Sequence, residues 1–161
     1  MAANTGRTVS RWVNFIVDDS GGTIRQIPIN SINGVGLECP EKDLTAWNDA
    51  IKGALPETPE CVIEIEGPFD TSTAAAVGTL SGSHTILNGI IGLSTPLTLD
   101  VQVGMRHAWE TGEPQFGLTS STTAGFLCTS YKVNVNDGTC SAKFVVFPGS
   151  TAPAWGTAAE S

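Results

Sequence analysis

Short segments in which apolar and polar residues alternate constrain this chain more than any other feature. The stretch 61–66 alternates an apolar set with a set that carries two carboxylates, namely Cys61, Ile63 and Ile65 against Val62, Glu64 and Glu66. Residues 96–104 repeat the pattern, with Asp100 and Gln102 between apolar neighbours. A period of two is typical of a β-strand with one buried face. The chain is therefore predicted to be mainly β.

Turn signals place further strands in antiparallel pairs. Residues 11–17 and 23–32 are predicted strands joined by the DDSGG sequence at 18–22. Residues 126–135 and 139–147 are predicted to form a hairpin through Asn136-Asp137-Gly138.

One helix is predicted, over residues 43–55. Its apolar residues recur at spacings of three and four: Leu44, Trp47, Ile51 and Leu55. We expect this stripe to pack against the sheets. The following segment, 71–94, is rich in small residues and is predicted to be a long connection with a short strand at 85–87 and a structural His84.

Composition excludes nucleic-acid binding by attraction. Eight basic residues against sixteen acidic ones give a net charge of −8, and the basic residues are scattered. A protein that binds nucleic-acid phosphates by charge attraction needs a patch of clustered basic residues. The length of 161 residues fits one domain. We expect an N-terminal arm (1–8) and a C-terminal arm (148–161) outside its core.

The four cysteines show no zinc or redox spacing, and we expect them to be reduced. In the predicted hairpin Cys140 should lie opposite about Val135, away from Cys128. The N-terminus does not match a secretory signal peptide, and no apolar run is long enough to span a membrane, so we expect a protein made in the cytoplasm.

Residues 105–125 carry the closest approach to a polar constellation. Arg106, Trp109, Glu110 and Glu113 lie within a few residues, but no nucleophile or metal motif accompanies them. No catalytic, cofactor-binding or metal-binding residue is therefore predicted. Trp and Arg are favoured interface anchors, so this loop and Trp155 of the C-terminal arm are predicted inter-subunit contacts.

Several segments together resemble the major tail tube protein of long, non-contractile-tailed bacteriophages. The resemblance covers most of the chain and rests on element order. It is carried by INSINGVGLE (29–38), KDLTAWNDAI (42–51), IEIEGPFD (63–70), PLTLDVQVGMRHAWETGEPQF (96–116) and the final hairpin with its AP-W tail.

The resemblance implies two packed antiparallel sheets with one flanking helix. It further implies six copies in a ring, with rings stacked into a hollow tube that conducts DNA in the virion tail. The implied partners are other copies of the chain and the tape-measure, tail-terminator and tail-tip proteins, and an acidic lumen would keep DNA from sticking. Asp100, Gln102, Glu64 and Glu66 are the candidate lumen-facing residues, and which sheet face lines the lumen is left open.

Two other functions fit the sequence less well. A capsid decoration protein would also be β-rich and acidic, but it would bind a capsid lattice instead of stacking on itself. A carbohydrate-binding β-sandwich would be expected to gather aromatics on one strand face, whereas the four tryptophans lie on separate elements.

Overall fold

The structure is a computed structural model that describes residues 8, 12–105 and 108–158. Most of the predicted N-terminal arm and the last three residues of the C-terminal arm lie outside this part. The helix is α1 (Ser83–Ile90), and the strands are β1 (Val13–Asp18), β2 (Ile24–Ile27), β3 (Ser31–Asn33), β4 (Glu41–Asp43), β5 (Ala54–Pro56), β6 (Val62–Pro68), β7 (Leu99–Val103), β8 (Gln115–Leu118), β9 (Phe126–Asn134), β10 (Thr139–Val146) and β11 (Ala154–Gly156).

Two antiparallel sheets form the body of the protein, as predicted. The first has five strands in the order β11-β8-β7-β1-β2, and the second has four in the order β3-β6-β10-β9. The hairpin of β9 and β10 and the alternation in β6 are confirmed, because Ile63 and Ile65 are buried while Glu64 and Glu66 are exposed. The predicted second strand, 23–32, is two short strands, β2 and β3, in different sheets.

The core lies between the two sheets. Phe15 of β1 and Phe144 of β10 are fully buried, and their ring centroids lie 5.5 Å apart. Aligned sheets pack about 10 Å apart face to face, so one aromatic ring from each strand fills the gap. Helix α1 adds Ile86, Leu87 and Ile90 to the same cluster.

The predicted helix at 43–55 is wrong. Residues 41–56 form instead a two-stranded ribbon, β4 and β5, which we call the hairpin arm. Side-chain oxygens compete here with helical backbone bonds. The Asp43 carboxylate accepts from Thr45 N at 2.9 Å, and the Thr45 hydroxyl accepts from Gly53 N at 2.8 Å. These bonds close the ribbon and leave the apolar stripe outside the core.

The helix forms where only a short strand was predicted, at 85–87. In α1 the apolar residues Ile86, Leu87 and Ile90 share the buried face, which is a helical spacing. Gly82 precedes the helix because an added Cβ there would collide with the backbone of Ser72 and Asp70. The surrounding segment is rich in small residues, so the short helical spacing of these three apolar residues did not stand out in the sequence.

The cysteines are free in the structure, with Cys61, Cys128 and Cys140 buried and Cys39 exposed. Cys140 lies opposite Val133, two residues from the predicted position, and Cys128 lies opposite Phe144. Burial raises the pKa of the Cys128 thiol to about 11. No helix in the described part of the chain is long and apolar enough to cross a membrane.

Replacing Trp47 separates this fold from the helical interpretation. Because Trp47 is fully exposed, Trp47→Ala should change the free energy of unfolding of the dilute subunit by less than about 0.5 kcal/mol. Phe144→Ala should lower it by about 3–5 kcal/mol, since it empties a core site. Urea unfolding measures both free energies. If Trp47→Ala lowered the free energy of unfolding as much as Phe144→Ala does, the result would favour a helix at 43–55 that packs against the sheets.

Candidate interaction surfaces

The middle of the outer face of the four-stranded sheet is polar and solvent-exposed, and it is flanked by an apolar row formed by Val62, Val145 and Leu127. Strand register arranges the polar residues in two rows across the sheet. One row is Asn33, Glu64, Lys143 and Ser130, and the other is Ser31, Glu66, Ser141 and Lys132. We call these eight residues the charged face, and they line a shallow concavity of about 300 Å³.

Each row of the charged face holds one glutamate and one lysine. Glu64 lies directly opposite Lys143, while Glu66 and Lys132 are separated by Ser141. The two glutamates were singled out from the sequence, but the lysines were not. The signal was present, because the hairpin register fixes which residues of β9 and β10 share a face.

The outer face of the five-stranded sheet is largely buried in the subunit, and it holds Asp100 and Gln102, two of the candidate lumen-facing residues. Their exposed fractions are 1% and 6%. Side-chain amides form a ladder across the strands: Gln26 Nε2 donates to Asn14 Oδ1 (3.2 Å), Asn14 Nδ2 to Gln102 Oε1 (3.3 Å), Gln102 Nε2 to Gln115 Oε1 (3.2 Å) and Gln115 Nε2 to the Ala158 carbonyl (2.8 Å). Buried amides are stable when paired in this way.

A buried carboxylate lies at one end of the same face. Asp18 Oδ2 accepts from Thr98 N at 2.9 Å and from the Ser120 hydroxyl at 3.3 Å. These bonds favour the charged form, but burial outweighs them and raises the pKa of Asp18. Partial burial also acts to raise the pKa of the neighbouring Asp19. Hydrogen bonds donated by Thr23, Arg25 and Gly21 outweigh that effect and hold the pKa of Asp19 below its ordinary value.

The loop predicted to be an interface is held together by its own residues. Glu113 is buried and its Oε2 accepts from the backbone N–H groups of Met105 and Glu110, each at 3.3 Å. The Trp109 indole N–H donates to the carbonyls of Glu113 and Pro114. Trp109 and Glu110 are partly exposed. Arg106 lies outside the described residues.

The C-terminal arm docks on its own subunit through β11. Trp155 lies opposite Phe116 of β8, and their ring centroids are 5.2 Å apart. The Thr157 carbonyl also accepts from Gly112 N at 2.8 Å. Trp155 remains 54% exposed, so one side of the ring is open to a second partner.

The hairpin arm carries the largest unburied apolar side chains together: Leu44, Trp47, Ile51 and Leu55. The arm continues the β3–β6 pair through a bridge between Glu38 and Glu60 and leaves the sheet at the Val62 end. Gly34 permits this exit, because it has a φ of 83° and an added Cβ would overlap the Val62 carbonyl.

A second exposed apolar group lies at the opposite end of the same sheet. Phe69, Val133 and Val135, which we call the distal patch, surround the β9–β10 turn, and Phe69 N donates to Gly138 O at 2.9 Å. Val135 is 87% exposed. His84 is structural here, as expected, because its Nδ1 lies 2.8 Å from the Tyr131 hydroxyl and its ring packs 4.8 Å from Phe69.

Among residues 8, 12–105 and 108–158, no group of three or more His, Cys, Asp or Glu side chains is placed to hold a metal ion. The largest concavity near the buried carboxylate, lined by Asp18, Ser120 and the 93–97 segment, has a volume of about 710 Å³. Among its lining groups, the Ser120 hydroxyl donates to Asp18 and accepts from the Thr98 hydroxyl.

Acid should stabilise the wild type relative to Asp18→Asn. The folded state holds the Asp18 proton more tightly than the unfolded chain, whose carboxyl titrates at 3.8. Stability from this group is therefore gained as pH falls from neutral toward that value and lost as pH rises. Urea unfolding of both proteins at several pH values measures the difference.

Asp19→Asn is the matched control. The lowered pKa of Asp19 gives the opposite sign, so the wild type should lose stability relative to this variant as pH falls below about 4. A wild type that loses stability relative to Asp18→Asn on acidification would contradict the buried carboxylate.

Comparison with known proteins finds likeness in structure. No family model matches the chain, and no curated protein is significantly similar in sequence. The cap that terminates the tube of the anti-feeding prophage aligns with a TM-score of 0.59 at 11% identity, over 98% of this chain and 96% of that one.

Two chains of an extracellular contractile injection system (PVC), both in the extended state, align similarly. One is from the sheath–tube complex, with a TM-score of 0.55, 10% identity and coverage of 94% of this chain and 92% of that one. The other is from the sheath/tube terminator, with a TM-score of 0.53, 11% identity and coverage of 96% of this chain and 99% of that one. The chain therefore has a tail-tube-like fold, similar to tube and terminator proteins of injection systems.

Proposed function

We propose that the chain is a structural, non-enzymatic subunit of a phage tail tube, of the long non-contractile type that the sequence resembles. Six copies form a ring, and rings stack into a hollow conduit for DNA. The tail-tube-like fold supports this proposal. The observation that carries it is the pair of exposed apolar surfaces, the hairpin arm and the distal patch, at opposite ends of one sheet.

Stacking follows from the positions of these two surfaces. An apolar group at one end and another at the opposite end make a head-to-tail contact, which is the kind that propagates into filaments. Burying a large apolar side chain contributes about 1.5–3 kcal/mol. The arm exposes four in each copy, so its insertion against the distal patch of the next ring would be strongly favourable.

Ring closure follows from the four-stranded sheet. Its strands alternate in direction, so the edge strand β9 of one copy would meet the edge strand β3 of the next in antiparallel orientation. Each copy can repeat this pairing around an axis. Residues 126–128 of β9 already pair with Ile91 and Leu97 of the same subunit, so the pairing would use the rest of β9. Closure would remove this remaining edge, which otherwise invites aggregation. The charged face, with Glu64 and Glu66, would then line the lumen.

The other predicted contacts divide by exposure. Trp109, Glu110 and Trp155 are partly open and are retained as inter-subunit contacts, together with Arg106 and the N-terminal arm. Glu113 is buried within its own loop, Gln102 belongs to the amide ladder, and Asp100 is buried on the same face of the sheet. We assign these last three to the rigidity of the subunit.

The proposed setting is the virion tail, assembled in the host cytoplasm. Its partners would be the tape-measure protein inside the tube, a terminator at one end and tail-tip proteins at the other. The solved structures most relevant to this point come from tube, terminator and cap components. Similarity to these structures supports a tail role for this chain.

Removing the apolar side chains of the arm should abolish stacking. The double variant Trp47→Ala/Ile51→Ala should lose the fast-sedimenting assemblies that the wild type forms at high concentration, because the head-to-tail contact loses its main buried surface. Sedimentation velocity over a concentration series measures this loss.

Val77→Ala/Leu80→Ala is the matched control, since these residues are apolar and exposed but belong to neither the hairpin arm nor the distal patch. It should assemble as the wild type does. Equal assembly by the arm variant and the wild type would overturn the stacking role of the arm.

A further inference from the structure

We propose that Lys132 and Lys143 determine which molecules the charged face binds. Their positive charges compensate the negative charges of Glu64 and Glu66 and make this surface electrically neutral and non-adhesive. The inference rests on the proposed function for the statement that this face lines a conduit. It departs from the acidic lumen that the sequence resemblance implies, because two glutamates and two lysines sum to zero.

The neutrality is local and is built into the strand register. The whole chain carries a net charge of −8, yet the charged face has one charge of each sign in each row. Side chains directly opposite on neighbouring strands lie about 5 Å apart at Cβ, so the charges of Glu64 and Lys143 compensate each other across the ladder without a direct ion pair. Lys132 lies two strands, about 10 Å, from Glu66, slightly beyond the Debye length of about 8 Å at physiological salt, so this pair compensates most at low salt.

The remaining residues of the face reinforce this property. They are three serines and an asparagine, which stay hydrated and present no apolar surface: Ser31, Ser130, Ser141 and Asn33. A polymer that contacts these eight residues therefore meets neither an apolar side chain nor an excess of one charge, and the apolar row of Val62, Val145 and Leu127 lies beyond them. Without the lysines, the face of each copy would carry two uncompensated carboxylates and would hold basic polypeptide segments.

Charge-removing variants of the soluble subunit test the inference with two probes. Lys132→Gln/Lys143→Gln should bind a fluorescent oligolysine peptide about tenfold more tightly than the wild type at low salt, because the glutamates are no longer compensated. Glu64→Gln/Glu66→Gln should gain about tenfold for a fluorescent single-stranded DNA oligonucleotide. Fluorescence anisotropy titrations measure both, and thermal unfolding confirms that the variants are folded.

Controls with the same change in net charge lie elsewhere on the surface. Lys42→Gln/Lys52→Gln matches the lysine variant, and Glu57→Gln/Glu60→Gln matches the glutamate variant, since all four residues are exposed. These controls should gain less than about twofold. Equal gains in controls and test variants, or no gain in the test variants, would overturn the inference.

The soluble subunit carries the charged face whether or not it stacks. Failure of the wild type to form tubes would therefore count against the proposed function, while the binding titrations would still decide the charge pairing. A second outcome is that the wild type forms normal tubes while the test variants bind neither probe more tightly than the wild type does. That result would support the proposed function and overturn this inference.

Discussion

The packing of one sheet on the other, centred on Phe15 and Phe144, is the constraint on which the structure depends. Their rings lie 5.5 Å apart in a fully buried core. Because side chains alternate along each strand, fixing these two residues inside fixes the inner and outer face of both sheets. The charged face and the amide ladder are the two outer faces that result.

The two outer faces have different physical roles. On the five-stranded sheet, amides from Gln26 to Gln115 satisfy one another across the strands, which suits a covered and rigid surface. On the four-stranded sheet, the glutamates and lysines remain in water. The sheet with the hydrated face is thus the one that fits a conduit wall, while the other sheet anchors β11 and the 108–114 loop.

The sequence predicted those strands whose periodicity reflects burial on one side. The alternation in 61–66 and the turn at Asn136-Asp137-Gly138 lead to β6, β9 and β10 because local pattern and packing agree. It failed at 43–55, where the helical spacing of Leu44, Trp47 and Ile51 arises on a ribbon closed by Asp43 and Thr45. Alternation also cannot tell whether the second face of a strand is covered, so the burial of Asp100 and Gln102 could not be predicted.

The central claim is that this subunit assembles end to end into a hollow tube. Negative-stain electron microscopy of the purified wild-type protein at rising concentration tests it most directly. The account predicts rings with six-fold symmetry that lengthen into tubes with a stain-filled lumen. Monomers or closed trimers at every concentration would contradict it.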